Sequence, residues 1–376
     1  MKTVLLLFSL ALFGNEITYS RQVGNIKSSS EGFESQYKTL VKKHDLITLG
    51  IAVIKNGKVI WTGYFGEESP GEPASENTLF DVASITKTVS TEAFLKLVDQ
   101  NKISLTESMS NYWIDPDLEE SSKLNELTLY HTLTHTAGFR NWRFFDNDNT
   151  LKFINDPGTI YGYSGEGFEY GVRYVESKLD TKFDELVQNL VFNPLNISKA
   201  SISVQKDLFS SIARPIDENG KFYGFYCRPN GWCRGEGEYS AAGDLVISVE
   251  DYAKFMISVM NGSGYSIELI EKRNQVHTET NLVDCKLLKN TPCPEKQGYG
   301  LGWRVLDYKN NKLITHGGSD WSEIALAYFY LASKDGVVIF INAPAQRGLN
   351  AMPEAIEIIE PNSPMAVHYR MRLGRN

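Results

Sequence analysis

Strand-length apolar runs lie at both ends of this chain and leave its middle to helices and loops. That arrangement narrows the possible folds more than any other feature. Leu49 to Ile54 and Lys58 to Thr62 flank Asn56-Gly57, and Asn-Gly between two such runs is the strongest short signal of an antiparallel hairpin. Four more runs fall in the last third: Gly302 to Asp307, Lys312 to His316, Ile324 to Leu331 and Gly336 to Ile341, with turns at Asn310-Asn311 and Lys334 to Gly336. Between the two strand regions Val89, Ala93, Leu97 and Val98 recur at helical spacing, which predicts a helix from about Ile85 to Asn101. Leu129 and Leu133 lie one turn apart, with Gly138 placed to end a helix. Phe183 to Val191 and Val249 to Met260 also read as helices, and Ala351 to Ile359 as a last amphipathic one. Hairpins with helices segregated to one side give an α+β fold. The expectation is an antiparallel sheet flanked by helices with an inserted, mostly helical lobe. The sheet lobe would take about 33–100 and 295–376, the helical lobe about 101–294. A cleft between two such lobes is a common ligand site.

Composition excludes several alternatives. With 376 residues, 42% hydrophobic and 22% charged, the chain can bury a large core and is not disordered. Lys plus Arg is 38 against 46 Asp plus Glu, a net charge of -8 without a basic run, which argues against nucleic acid as a partner. Lys2 followed by the apolar run Val4 to Phe13 and small residues up to Ser20 reads as a secretory signal peptide over 1–20, with residues 21–376 as the mature catalytic unit. No later segment is long and apolar enough to span a membrane, and residues 21–33, rich in Ser and Gly, read as loose. In an oxidising compartment the local pairs Cys227 with Cys233 and Cys285 with Cys293 read as disulfides clipping loops. Their spacing does not suit zinc. Asn196 and Asn261 open glycosylation sequons.

Ser84-Ile-Thr-Lys87 is the foremost candidate for chemistry. Positions i and i+3 share a helix face, so the hydroxyl and amine can meet. Burial, a helix N-terminus or a second cation would lower the amine's pKa and make the serine an acyl-transfer nucleophile. The same pattern recurs at Ser35/Lys38 and Ser203/Lys206; Ser84 differs in following the strand-like Leu79 to Val82 and opening a long helix. A plain helix-capping serine is the bland alternative. Gly162 to Glu166 does not complete a nucleophile elbow. His131 and His135 stand at i and i+4 without the Glu of a zinc peptidase, and read as histidines satisfied near the core. No phosphate-binding or dinucleotide-binding glycine pattern stands in a suitable context, so no cofactor or metal is called for. Tyr163, in an aromatic turn-rich stretch, offers a phenol that would serve as a base if nearby cations lowered its pKa. His316-Gly317-Gly318 ends a strand beside Ser319, and its glycines let a ligand approach the backbone.

Taken together these segments resemble the serine β-lactamase-related family of class C β-lactamases, DD-carboxypeptidases and β-lactamase-like esterases. The matching stretches, in the family's order, are Phe80 to Lys87, His131 to Phe139, Pro157 to Ser164, Tyr239 to Leu245 leading to Asp251 to Phe255, Gly298 to Trp303 and His316 to Gly318. The resemblance implies a β-lactamase/transpeptidase-like fold and a secreted serine hydrolase acting through an acyl-enzyme on an ester or amide of a small molecule or peptide. It implies Ser84 as nucleophile, Lys87 and Tyr163 sharing the proton work, and His316 supporting the Tyr hydroxyl or substrate. The backbone N–H groups of Ser84 and Ser319 would form the oxyanion hole, with Gly318 at the substrate-binding edge. It gives His135 no catalytic part.

One departure matters. The family's Tyr-x-Asn is here Tyr163-Ser164-Gly165. Loss of the Asn amide is expected to remove a substrate contact and open the pocket, which favours esters or unusual amides over β-lactams. Glu166 is expected to face solvent. Trp142, Trp232 and Trp321 read as core or rim packing rather than as a ligand pocket. An acyltransferase using the same acyl-enzyme and a catalytically inactive binding relative are the alternatives, and proton sharing by Lys87 and Tyr163 would require neutral to alkaline pH.

Overall fold

A computed structural model describes residues 23–262 and 264–374. The expected leader at 1–20 lies outside them, as does Ser263 of the second sequon. In chain order the helix α1 (Phe33–His44) precedes β1 (Thr48–Lys55), β2 (Lys58–Ser69), the short β3 (Glu72–Pro73) and β4 (Phe80–Asp81). The middle holds α2 (Thr86–Asp99), α3 (Leu129–Leu133), α4 (Gly165–Leu179), α5 (Phe183–Val187), β5 (Val246–Ile247), α6 (Val249–Met260) and α7 (Ile267–Arg273). Then follow β6 (Thr278–Glu279), β7 (Lys296–Tyr299), β8 (Arg304–Asp307), β9 (Lys312–Ser319), β10 (Glu323–Tyr330), β11 (Asp335–Asn342), α8 (Ala345–Ile359) and α9 (Pro364–Leu373).

The expected hairpins join into one antiparallel sheet of order β3-β2-β1-β11-β10-β9-β8-β7-β6. The first and last strand regions meet along β1 and β11, where Ile51 pairs with Ile339. The central strands are buried on both faces, so they read as nearly continuous apolar runs. On one face Leu49, Ile51, Val53, Leu326 and Ile339 pack with Phe33 and Tyr37 of α1 and Ile356 of α8. On the other Ala52, Ile54, Ala327, Val338 and Phe340 pack with the helical layer through Phe80, Val89 and Tyr252. α2, which carries the Ser84 segment at its start, is therefore clamped between the sheet and the other helices.

Sequence periodicity located α2 and α6 to within two residues at either end. The helix expected at 183–191 begins as α5 and continues as a π-helical turn, Gln188–Phe192. Four helices escaped it, α1, α4, α7 and α9. The stretch expected to be loose is irregular over 23–32 yet anchored: Val23 and Ile26 are buried, and the Lys27 N–H donates to the Ile359 carbonyl. Among the described residues no helix is long and apolar enough to cross a membrane.

Candidate active site

β4 delivers Ser84 through a strained turn. The Asp81 carboxylate accepts from the Ala83 N–H at 2.9 Å, and Ala83 adopts a left-handed conformation with φ of 46°. Such a residue costs about 1–2 kcal/mol and persists only where its surroundings enforce it. They do so here from two sides. The Thr86 hydroxyl donates to the Ala83 carbonyl and accepts from the Leu245 N–H. On the other side β9 runs so close that a Cβ on Gly318 would lie 2.0 Å from the Val82 carbonyl oxygen. The turn then passes through a 3₁₀ segment, Ala83–Ile85, into α2.

One helical turn on, the Lys87 amine is fully buried. It lies 3.1 Å from Ser84 Oγ and donates to the Ala242 carbonyl at 2.8 Å. The rings of Tyr163, Trp142 and Phe168 surround it, with Tyr163 nearest at 5.0 Å. Burial brings this amine down to about 7, the Arg304 charge adding to the shift while Glu169 and Asp320 oppose it. A neutral Lys87 can take the proton of the Ser84 hydroxyl. The Tyr163 hydroxyl also feels the Ser84 side chain, which favours its ionised form. Here the structure corrects the sequence reading, which asked for a phenol lowered by cations. Burial raises Tyr163, and Ser84, Arg304 and Arg372 offset this only in part. The phenol keeps its proton at neutral pH, so the near-neutral base beside Ser84 is Lys87.

Two neutral imidazoles bracket Tyr163. His316 Nδ1 contacts the Gly317 carbonyl, which can only accept, so that nitrogen carries the proton and Nε2 is an acceptor. His135 Nδ1 accepts from the Ser164 N–H, leaving its proton on Nε2. Neither Nε2 has a hydrogen-bond partner among the described residues. Burial, with the charges of Lys87 and Arg304, holds both rings well below the usual histidine range. His135 also lies 4.4 Å, ring to ring, from Tyr163. It therefore seats the tyrosine segment, a role beyond core packing. The other Ser-Lys pairs are elsewhere: Ser35 is exposed on α1, and Ser203 is buried against Ser201 while Lys206 points to solvent.

A cavity of about 230 Å³ opens beside Ser84, with Ser319 on its wall. The missing Asn does not open it. A Cβ on Gly165 would lie 2.5 Å from the Trp142 ring, so the indole occupies the space next to that glycine. The Gly165 N–H is taken by Asn141, whose side chain joins the cavity wall. Glu166 does not face solvent. It is buried and accepts from the Arg143 backbone N–H and guanidinium, which also pairs with Asp115. Trp232 and Trp321 are half-exposed at the rim, as is Phe144.

Both cysteine pairs are disulfide-bonded. Cys227 lines the cavity, so one of the two clips holds part of its wall. Asn196 and Asn261 are exposed. Sequence reasoning missed Ala242, Asn141, Arg304 and the cavity acids. Ala242 contributes a backbone carbonyl, which no side-chain pattern can advertise.

A family model described as beta-lactamase matches residues 33–358. The chain is 28% identical to a β-lactamase of Pseudomonas fluorescens over 50% of its length and 55% of that enzyme. It is 24% identical to the esterase EstB of Burkholderia gladioli over 45% of its length and 40% of the esterase. These relatives are thus matched over only about half their length. The octameric penicillin-binding protein homologue of Pyrococcus abyssi has the same fold, with a TM-score of 0.69, 20% identity and coverage of 91% of this chain and 80% of that one.

Proposed function

The chain belongs to the β-lactamase family, and from that premise we propose that it is a serine hydrolase acting through an acyl-enzyme on Ser84, with an ester or amide of a small molecule or peptide as substrate. The observation that carries this is the fully buried Lys87 amine 3.1 Å from Ser84 Oγ, brought by burial close to neutrality. Ser84 Oγ attacks the carbonyl carbon. Its proton passes to Lys87, directly or through the Tyr163 hydroxyl, and from there to the leaving oxygen or nitrogen as that bond breaks. Water then attacks the acyl carbon, giving its proton back along the same groups and returning Ser84. Acid–base help of this kind is worth about 10²–10⁴-fold. The backbone N–H groups of Ser84 and Ser319 would hold the oxyanion; losing one such donor costs on the order of 10²–10³-fold. His316, neutral, would offer Nε2 as an acceptor to the Tyr163 hydroxyl or the substrate.

Trp142 beside Gly165 favours esters over β-lactams, because the family's amide is replaced by an apolar ring. The intact contact of Ser84 with Lys87 and Tyr163 supports a catalytic over a binding-only protein. The leader-like pattern read at 1–20 and the two disulfides support an extracytoplasmic enzyme. The test is labelling with a fluorophosphonate and turnover of p-nitrophenyl acetate by wild type and Ser84→Ala. Both signals should depend on Ser84; absence of any Ser84-dependent label or turnover would overturn the proposal.

A further inference from the structure

The wall of the Ser84 cavity carries more carboxyl groups than cations to pair with them. Asp81, Asp244, Asp320 and Glu323 line it, against Arg228 and Arg234. Arg234 is bound to Asp244 in an ion pair. Among the described residues neither Asp81, Asp320 nor Glu323 forms an ion pair with Lys or Arg; their recorded partners are backbone N–H groups and the Ser322 hydroxyl. Burial and the neighbouring acids lift Asp81, Asp244 and Glu323, the last two to about 7, while Asp320 is lifted by burial and held back by Arg228 and Lys87.

A second, independent feature lies at the mouth. Phe144, Phe145, Trp232 and Trp321 are all large, exposed and on the cavity wall. Two of them already hold a cation: the Arg228 guanidinium lies 4.0 Å from the Phe144 ring centre and 4.5 Å from that of Trp232. Aromatic faces stabilise a desolvated cation through their ring quadrupoles, and alkylammonium groups are well suited to such surroundings. A neutral or anionic group in this cavity would bury Asp320 and Glu323 further without offsetting their charge. An ammonium group would satisfy both the acids and the rings.

We infer that the substrate carries a cationic alkylammonium group that sits between the acidic wall and the aromatic rim of the cavity beside Ser84. This rests on the reading of that cavity as the acyl-enzyme site. The specificity comes from Asp320 and Glu323, near Ser319 on the β9–β10 side, and from Trp232 and Trp321 at the rim. The cation selects the substrate and takes no part in bond making.

Two ester pairs test it. One sets butyrylcholine against its uncharged carbon isostere, in which tert-butyl replaces trimethylammonium. The other sets the p-nitrophenyl ester of γ-(trimethylammonio)butyric acid against its tert-butyl isostere. In at least one pair the cationic member should have the higher kcat/KM by about tenfold or more, and the pair that responds tells whether the cation lies on the acyl or the alcohol side. Asp320→Asn and Glu323→Gln should bring that ratio towards unity. Equal or reversed preference in both pairs overturns the inference. A binding measurement separates this from the hydrolase reading: Ser84→Ala protein is titrated with butyltrimethylammonium and with butyrate, following tryptophan fluorescence. Saturable binding of the cation alone, without turnover of any ester by wild type, keeps the cation site and removes the hydrolase. Ester turnover without cation preference or cation binding does the reverse.

Discussion

At Lys87 a single amine changes character through its surroundings. A lysine in water titrates near 10.4; burial brings Lys87 down to about 7. The base form is the neutral amine, so kcat/KM for p-nitrophenyl acetate should rise with pH through about 7 and level off above it, falling about tenfold per unit on the acid side. Were the Tyr163 phenolate the base, the ascending limb would stand above pH 10, since burial raises that phenol. A profile with its ascending limb above about pH 9 would therefore reject Lys87. Gly165 gives a second prediction at this scale. Restoring the family's residue by Gly165→Asn should lower ester turnover instead of conferring β-lactam turnover, because its Cβ collides with the Trp142 ring at 2.5 Å. Gly165→Asn with Trp142→Ala should recover part of the lost rate. Steady-state kinetics of the two variants with the ester and a chromogenic β-lactam check this, and full activity in the single variant would contradict it.

At the scale of elements, the serine-bearing helix is fixed by a buried polar knot. Glu92 of α2 accepts from Trp303 Nε1 at 3.0 Å, the Tyr265 hydroxyl at 2.7 Å and the Arg273 guanidinium at 3.3 Å. Arg273, at the end of α7, also donates to the Val259 carbonyl of α6. One carboxylate thus ties α2 to two helices and to the turn between β7 and β8. Glu92→Leu strands a fully buried guanidinium and should cost about 3–5 kcal/mol, whereas the double variant with Arg273→Met should recover most of the loss. Urea unfolding measures both. A single variant within about 1 kcal/mol of wild type would show that the ion pair does not hold the helix. The surface pairs, such as Lys38 with Glu34, carry no comparable weight because water screens them.

At the scale of the molecule, the cavity is assembled from segments far apart in the chain: the turn at 81–84, the loop at 141–145, the clipped hairpin at 223–234 and the β9–β10 corner. The bond between Cys227 and Cys233 fixes the hairpin that presents Tyr226, Arg228 and Trp232 to the cavity. Cys227→Ser with Cys233→Ser should therefore raise KM several-fold with a smaller change in kcat. Replacing Cys285 and Cys293, which lie outside that wall, should leave the kinetics unchanged. Equal kinetics for the two pairs of variants would remove the hairpin from substrate binding.

What the sequence determined by itself is what local physics determines. Asn56-Gly57 between apolar runs makes a hairpin, continuous apolar runs make strands buried on both faces, and a Ser and a Lys three residues apart at a helix start meet on one face. The ordered segments from Phe80 to Gly318 added the family and hence the fold. Two of the missed helices show the limit. α1 carries charge along most of its length and buries only Phe33, Tyr37 and Leu40 among its interior contacts, and α9 has little amphipathic contrast to read. The tertiary structure alone decided the quantities that depend on distant neighbours. It set the proton affinity of Lys87, filled the space at Gly165 with Trp142, turned Glu166 inward to Arg143 and brought Cys227 to the cavity. Each of these follows from burial or from long-range contact, and neither is a property of residues adjacent in the chain.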